Sequence, residues 1–221
     1  MSSIVVSGDT SGSVTLSAPA VSGSSVLTLP AATDTLVGRA TTDTLTNKSI
    51  VATQLTGTVA TDRLPAGTVL QVVTVGYGTQ TTSTSTTYAD TGLSASITPS
   101  SASNKILVLV SQGINAIGGD SVGYGYQVDA GVQLLRGATV LITPTSDAGG
   151  KYSAGIGTGV APASGNIVLW AIVGMNYLDS PATTSSTTYK TQFAKGTSGM
   201  GTIYANDGAG GSYITLMEIA G

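Results

Sequence analysis

The sequence predicts an all-β protein in which a short repetitive β stem, residues 1–67, precedes a jelly-roll-like β-sandwich, residues 68–221. Short apolar runs recur between turn residues along most of the chain, and helical periodicity is absent. The first part of the chain repeats a Thr-rich phrase, whereas the remainder does not. A length of 221 residues has room for one compact domain and one extended segment.

The stem is predicted from short strand-like runs and from a repeat. Residues 13–30 contain SVTLSAP and SVLTLP, and then TDTL occurs at 33–36 and 42–45 and TDRL at 61–64. Apolar residues recur every four to five positions, at Leu45, Ile50, Leu55, Val59 and Leu64. A single chain cannot bury these side chains, so we expect them to meet their symmetry mates at a common axis. A flexible linker is the alternative, and the regular Leu and Ile argue against it.

The sandwich is predicted from a succession of apolar runs separated by turns that contain Gly, Pro, Asn or Asp. The runs are residues 69–75, 93–97, 106–110, 132–135, 140–142, 167–173, 187–193 and 213–219. Roughly eight to ten strands in about 150 residues are typical of a double-sheet sandwich, and a jelly roll is the topology that we expect.

Two of these runs predict contacts between subunits. Residues 106–110 (ILVLV) and 167–173 (IVLWAIV) are apolar at successive positions, so both faces of these strands should be covered. The sandwich core would cover one face and a neighbouring subunit the other. Trp170 is accordingly predicted to lie in the core or in a subunit interface, and a platform for a ligand is the alternative. A dimer would satisfy this burial argument almost as well as a trimer.

Composition excludes several classes of function. Charged residues make up 9% of the chain and its net charge is −3, with the few basic residues scattered, so we expect no binding to nucleic acid. The longest apolar run, 167–175, has about half of the ~20 residues that a membrane span requires. Residues 1–12 lack the pattern of a secretory signal, so we expect synthesis in a cytosol.

The absence of His and Cys narrows the possible chemistry further. Neither a Ser-His-Asp triad, a zinc site of His or Cys, nor a thiol nucleophile can be built. Glycoside hydrolysis by paired carboxylates remains, but Glu218 is the only Glu, and most Asp residues lie in predicted turns. Asp120, Asp179 and Asp207 are the carboxylates worth testing, and we expect Asn at each to preserve function. The prediction is therefore a protein that is not an enzyme and needs no cofactor or metal.

Aromatic side chains on predicted turns are the candidates for ligand binding, because they offer flat faces to sugars and polar tips for hydrogen bonds. The candidate residues are Tyr124, Tyr126, Tyr204, Asn206 and Asp207. The alternative is that these tyrosines pack against the sandwich or across a trimer axis.

Several phrases resemble one group of proteins. They are DTLTNK at 43–48, VATDRLPAGTV at 59–69, YLDSP at 177–181 with TTYK at 187–190, and ITLMEI at 214–219. Together and in this order, over nearly the whole chain, they resemble predicted tail-fibre and other virion structural proteins of tailed bacteriophages, notably marine and cyanobacterial ones. The resemblance implies a homotrimeric fibre with a terminal β-sandwich, carried on the virion after synthesis in the host cytoplasm. It implies no catalytic residues.

Two functions follow from this resemblance. In the first, the stem docks on other virion proteins and the sandwich binds a bacterial surface polysaccharide or protein during adsorption. In the second, the protein is a capsid decoration or head fibre that stabilises the particle without a receptor, which suits its modest length.

Overall fold

The computed structural model describes residues 3–7, 10–17, 31, 49, 51, 57, 59–118, 129–144, 155–156, 167–196, 201–206 and 211–221. Regular structure in this part of the chain is β, apart from a single 3-10 turn at Thr61–Arg63, so the predicted all-β class is confirmed. The chain divides into two compact units, Met1–Thr56 and Gly57–Gly221.

The first unit contains an antiparallel pair of strands, β1 (Ser3–Ser7) and β2 (Ser13–Ser17). The adjacent side chains of Ile4, Val5 and Val6 are all exposed, although neighbouring residues of a strand point to opposite faces. Two strands without a covering layer are marginally stable in water. The predicted axis residues Leu45, Ile50 and Leu55 lie outside the described residues, so the interlocked stem stays a prediction.

The second unit begins earlier in the chain than the predicted boundary at residues 67 and 68. The amide of Gly67 donates to the carbonyl of Ala220 at 2.8 Å, and the amide of Ala220 donates to the carbonyl of Thr68 at 2.8 Å. These bonds tie the entering segment to the end of the chain. Of the two remaining predicted axis residues, Leu64 is half-buried and Val59 is exposed.

The larger sheet of the second unit is antiparallel and is built around its longest strand. Its strands are β3 (Val69–Tyr77), β4 (Thr81–Ser83), β6 (Lys105–Gly118), β10 (Ile167–Asp179), β12 (Ile203–Ala205) and β13 (Ser212–Ile219). Strands β13 and β12 pair with successive parts of one edge of β6, and β10 pairs with the other edge. Strand β3 lies outside β13, and β4 lies outside β12.

The smaller sheet is also antiparallel. Its strands are β5 (Ala89–Ile97), β7 (Ala130–Arg136), β8 (Thr139–Ile142), β9 (Gly155–Ile156) and β11 (Thr187–Lys195). Strand β11 lies between β5 and β7, and the other edge of β7 pairs with β8 and β9.

The inner faces of the two sheets share one hydrophobic core, which makes the second unit a two-layer sandwich. The larger sheet contributes alternate residues, such as Ile106, Val108 and Val110 of β6. Tyr189 and Phe193 of β11 are the largest fully buried side chains. The alternation of buried and exposed residues along β5 and β13 is the pattern that strands with one covered face require.

Candidate functional site

The outward surface of the larger sheet exposes many large apolar side chains, with uncharged polar residues such as Thr74, Ser111, Asn176 and Thr215 between them. Strand β10 is apolar at successive residues, so burying Leu169, Val173 and the alternate positions between them forces the intervening side chains outward. Trp170 is 56% exposed and Ile172 is 75% exposed. We call this surface the apolar face; its members are Val72, Leu107, Leu109, Val168, Trp170, Ile172, Leu178, Tyr204, Tyr213 and Met217.

Strand register aligns these residues across the sheet. Leu178 lies beside Leu107, Leu107 beside Met217, and Met217 beside Val72, so one apolar row crosses four strands. Cross-strand neighbours of this kind have Cβ atoms about 4.5–5.5 Å apart. The row is therefore a continuous surface and not a set of scattered residues.

A second row brings together two residues that were predicted for different roles. Trp170 of β10 and Tyr204 of β12 both lie beside Asn115 of β6, on opposite sides of it. Tyr204 is half-buried, with the core residues Ile203 and Ala205 on either side of it in sequence. Trp170 is not a core residue, and a position in a subunit interface stays a prediction for it, as does the alternative of a ligand platform.

Charge is almost absent from the apolar face. Lys105, at one end, is the only charged residue with an outward, exposed side chain on the described strands of the larger sheet. The outward surface of the smaller sheet is different, and we call it the polar face; its members are Asp90, Ser94, Ser96, Thr188, Lys190 and Gln192. A hydrogen bond from Lys190 to Asp90 lowers the pKa of that carboxyl, against the opposing effect of its partial burial.

Asn206 is not on the surface. It has a φ of 60°, a left-handed conformation that Asn tolerates better than most residues, and it is 1% exposed. Its Nδ2 donates to the carbonyl of Thr91 at 2.6 Å, and its Oδ1 accepts from Nε2 of Gln112 at 2.8 Å. Oε1 of Gln112 accepts in turn from the Thr191 hydroxyl at 2.8 Å. This network joins the two sheets, so the geometry makes Asn206 a structural residue.

The other predicted ligand residues are mostly outside the described part of the chain. This is the case for Tyr124, Tyr126 and Asp207, and also for the candidate carboxylate Asp120. The prediction for these residues therefore stays untested, and Tyr204 is the one tyrosine of the set with a defined position, on the apolar face.

Asp179 holds together three strands of the sandwich. Nη1 of Arg136 donates to both oxygens of its carboxylate, at 2.9 and 2.7 Å, and the Tyr189 hydroxyl donates to Oδ2 at 2.7 Å. Burial raises the pKa of the Tyr189 hydroxyl far above its usual value, and the bond to Asp179 raises it further. Asp179 belongs to the phrase YLDSP and Tyr189 to the phrase TTYK, so this hydrogen bond gives a residue of each phrase a structural role.

Glu218 anchors the last strand in a similar way. Its Oε1 accepts from the backbone amide of Ser100 at 2.6 Å and from Nδ2 of Asn104 at 2.6 Å, and its Oε2 accepts from Gln71. Burial by itself would raise the pKa of Glu218, but these hydrogen bonds outweigh it, so the pKa lies below its usual value. The buried carboxylates of Asp179 and Glu218 are thus occupied by structural partners. Among the described residues, no group of three or more Asp or Glu side chains is placed to hold a metal ion.

Two surface recesses have several hydroxyl groups in their lining. One has a volume of about 390 Å³ and is lined by Arg136, Gly137, Pro181, Thr183, Ser186, Thr187 and Thr188. The other has a volume of about 370 Å³ and is lined by Thr61, Leu64, Leu70, Ser100, Ser101, Ser103, Asn104, Ala220 and Gly221. Sequence reasoning did not find either recess, because neither set of residues is contiguous in the chain.

No helix in the described ranges is both long enough and apolar enough to span a bilayer. No protein-family model matches the sequence, and no curated protein is significantly similar to it.

Proposed function

We propose that this chain is a bacteriophage virion subunit, a fibre or fibre tip, that assembles with its own copies and adsorbs to a host surface without catalysis. The observation that carries the proposal is the apolar face. Soluble proteins that act as single copies rarely expose contiguous apolar patches larger than a few hundred Å². A chain that exposes Trp170 and Ile172 on one sheet is therefore suited to work in an assembly.

The proposed architecture is a jelly roll that forms a homotrimer. Support for the jelly roll comes from the two facing antiparallel sheets and from successive strands that alternate between them, as β5, β6 and β7 do. Support for several chains comes from the repeated apolar residues of the stem and from the exposed residues Ile4, Val5 and Val6. Three copies would supply the second layer that one hairpin lacks.

In this proposal the stem contacts other virion proteins and the sandwich contacts the host. The recess beside Arg136 suits a bacterial surface polysaccharide, because it offers the hydroxyls of Thr183, Ser186 and Thr187 together with the ring of Pro181. Hydroxyl groups both donate and accept hydrogen bonds, as sugar hydroxyls do. None of the described residues that line the recess is an Asp or a Glu, which suits binding better than hydrolysis.

A capsid decoration or head fibre is the second candidate. The observation that favours it is the modest length of 221 residues, which leaves little chain for a shaft that reaches far from the particle. Such a protein would use the same assembly but would bind capsid subunits and no receptor.

The mass of the native protein is the first test. Light scattering should give about three times the chain mass of 21.8 kDa, and a monomer at all concentrations would overturn the proposal. Pull-down onto intact host cells and onto empty virion heads then separates the two candidates. Retention by cells supports the adsorption role, whereas retention by heads alone refutes it in favour of decoration.

A further inference from the structure

We infer that copies of this chain associate through the apolar face, centred on Trp170 and Ile172, and that the polar face of each copy stays in contact with solvent. This inference rests on the proposed function only in that the chain works as an oligomer. It adds the surface through which the copies meet, and it assigns the polar face to the outside of the assembly.

The size of the apolar face fits a stable interface. Strands β3, β13, β6 and β10 lie side by side, and strands in a sheet are about 4.8 Å apart, so the face is roughly 20 Å wide. Strands β6 and β10 have 14 and 13 residues, each rising about 3.3 Å, so they are roughly 40 Å long. The pair β13 and β3 lies beside one part of β6, and the pair β12 and β4 lies beside another part, so the sheet stays four strands wide along most of this length. The product, about 800 Å², matches the surface that each partner contributes to a standard interface.

The charge distribution favours a second copy of the chain as the occupant. Complementary charges are the means by which an interface selects one particular foreign partner, and permanent interfaces between identical chains are more apolar. The apolar face has Lys105 alone, at one end, whereas the Asp90–Lys190 pair lies on the polar face. Apart from Lys105 at the end, the apolar faces of several copies can meet at a common axis without leaving any charge buried and unpaired.

The relief of the apolar face also suits packing against itself. The ring of Tyr213 covers Gly76, where an added Cβ would lie 2.9 Å from the ring, so this tyrosine lies flat on the sheet. Gly174 is outward and has no atom within 4 Å of an added Cβ. The projecting side chain of Ile172 therefore stands beside a hollow of the same strand. A projecting side chain of one copy can fit into such a hollow of another copy.

The exposed edge of the sheet adds a further reason. Among the described strands, β10 pairs only with β6, and its side chains before Asp179 carry no charge. Long edge strands are usually protected from other chains by charged residues, Pro or a covering element. A copy seated on Trp170 and Ile172 would shield this edge as well as the face.

The first experiment introduces a charge into the face. Ile172→Lys places a cation on a side chain that is 75% exposed in one copy, so the fold should survive. We expect light scattering to give the 21.8 kDa monomer and circular dichroism to show unchanged β structure. The matched control is Ser96→Lys on the polar face, which should leave the mass of the oligomer unchanged.

The chain also offers two built-in probes. Trp170 is the only Trp, so its emission should be blue-shifted and protected from iodide in the wild-type oligomer and red-shifted in the Ile172→Lys monomer. Because the chain has no Cys, Asn176→Cys places a single thiol on the apolar face, and Ser96→Cys places one on the polar face. A short bismaleimide should cross-link two chains of the first variant and none of the second.

The outcomes distinguish failure of the inferred interface from failure of the proposed oligomer. If the wild type is an oligomer but Ile172→Lys leaves it intact and only the Ser96→Cys variant cross-links, the inference fails while the proposed assembly stands. If the wild type is a monomer, or if its Trp170 is protected without association, both fail. If Ile172→Lys does not fold, the pair of cysteine variants decides the matter, because each changes one exposed polar side chain.

Discussion

Asp179 provides the sharpest test of the structural reading, since the substitution Asp179→Asn keeps its shape and removes its charge. In the folded protein its carboxylate accepts hydrogen bonds from Arg136 and Tyr189, and the Asp179 side chain is 6% exposed. Hydrogen bonds to a charged group contribute about 1.5–3 kcal/mol each, and part of that energy stays with the Asn oxygen. We therefore expect the free energy of unfolding to fall by about 2–3 kcal/mol.

Asp90→Asn is the matched control for this change. Asp90 also pairs with a cation, Lys190, at 2.9 Å, but its side chain is 54% exposed. Exposed pairs of this kind contribute about 0–1 kcal/mol. Urea denaturation at one protein concentration, followed by circular dichroism, measures the free energy of unfolding of both variants. Thermal unfolding should show that the Tm of the Asp179 variant falls by roughly 5–10 °C.

The result also separates structure from activity. We expect folded Asp179→Asn protein to adsorb to its target as the wild type does, because the carboxylate is buried and already accepts hydrogen bonds from Arg136 and Tyr189. Equal losses of stability in the Asp179 and Asp90 variants would refute the argument from burial. Loss of adsorption or of a depolymerase halo at unchanged stability would refute the structural role itself.

Three further predictions concern two buried polar groups and a glycine at an irregular position of strand β5. Glu218 has a lowered pKa in the folded state, so its contribution to stability is complete above its unfolded pKa of about 4.3 and is lost as pH falls through the folded value. Urea midpoints measured from pH 2 to 7 should therefore fall less steeply at acid pH in Glu218→Gln than in the wild type. Gln112→Leu leaves the buried amide of Asn206 without one partner, and we expect a loss of about 1–3 kcal/mol in urea denaturation, whereas an unchanged midpoint would contradict the network. Gly92→Ala should cost about 1–3 kcal/mol, because Gly92 has a φ of 91° and an added Cβ would contact a tyrosine ring, while Gly78→Ala, with open space around it, should change the midpoint little.

The sequence by itself determined the class of fold and the positions of most strands. Alternation of apolar and polar residues is a local property, and it predicted strands at residues 93–97 and 213–219 because each has one covered face. Thr81–Ser83 and Ile203–Ala205 were not predicted, since three residues show no period. Ile203–Ala205 becomes a strand by pairing with β6, and Thr81–Ser83 by pairing with Ile203–Ala205. Strand β6 itself continues past the apolar run 106–110 because its neighbours supply partners for Gln112.

The candidate surface was decided by tertiary structure. Trp170 and Tyr204 lie in different strands that are distant in sequence, and only the pairing of β10 and β12 with β6 places them on one face. Asn206 precedes Asp and Gly and therefore has the composition of a surface turn, yet it is buried because its amide joins the two sheets. The sequence around a residue shows whether apolar and polar side chains alternate there. Long-range strand pairing specifies which of its two faces another layer covers, because the partners that cover it are distant in the chain.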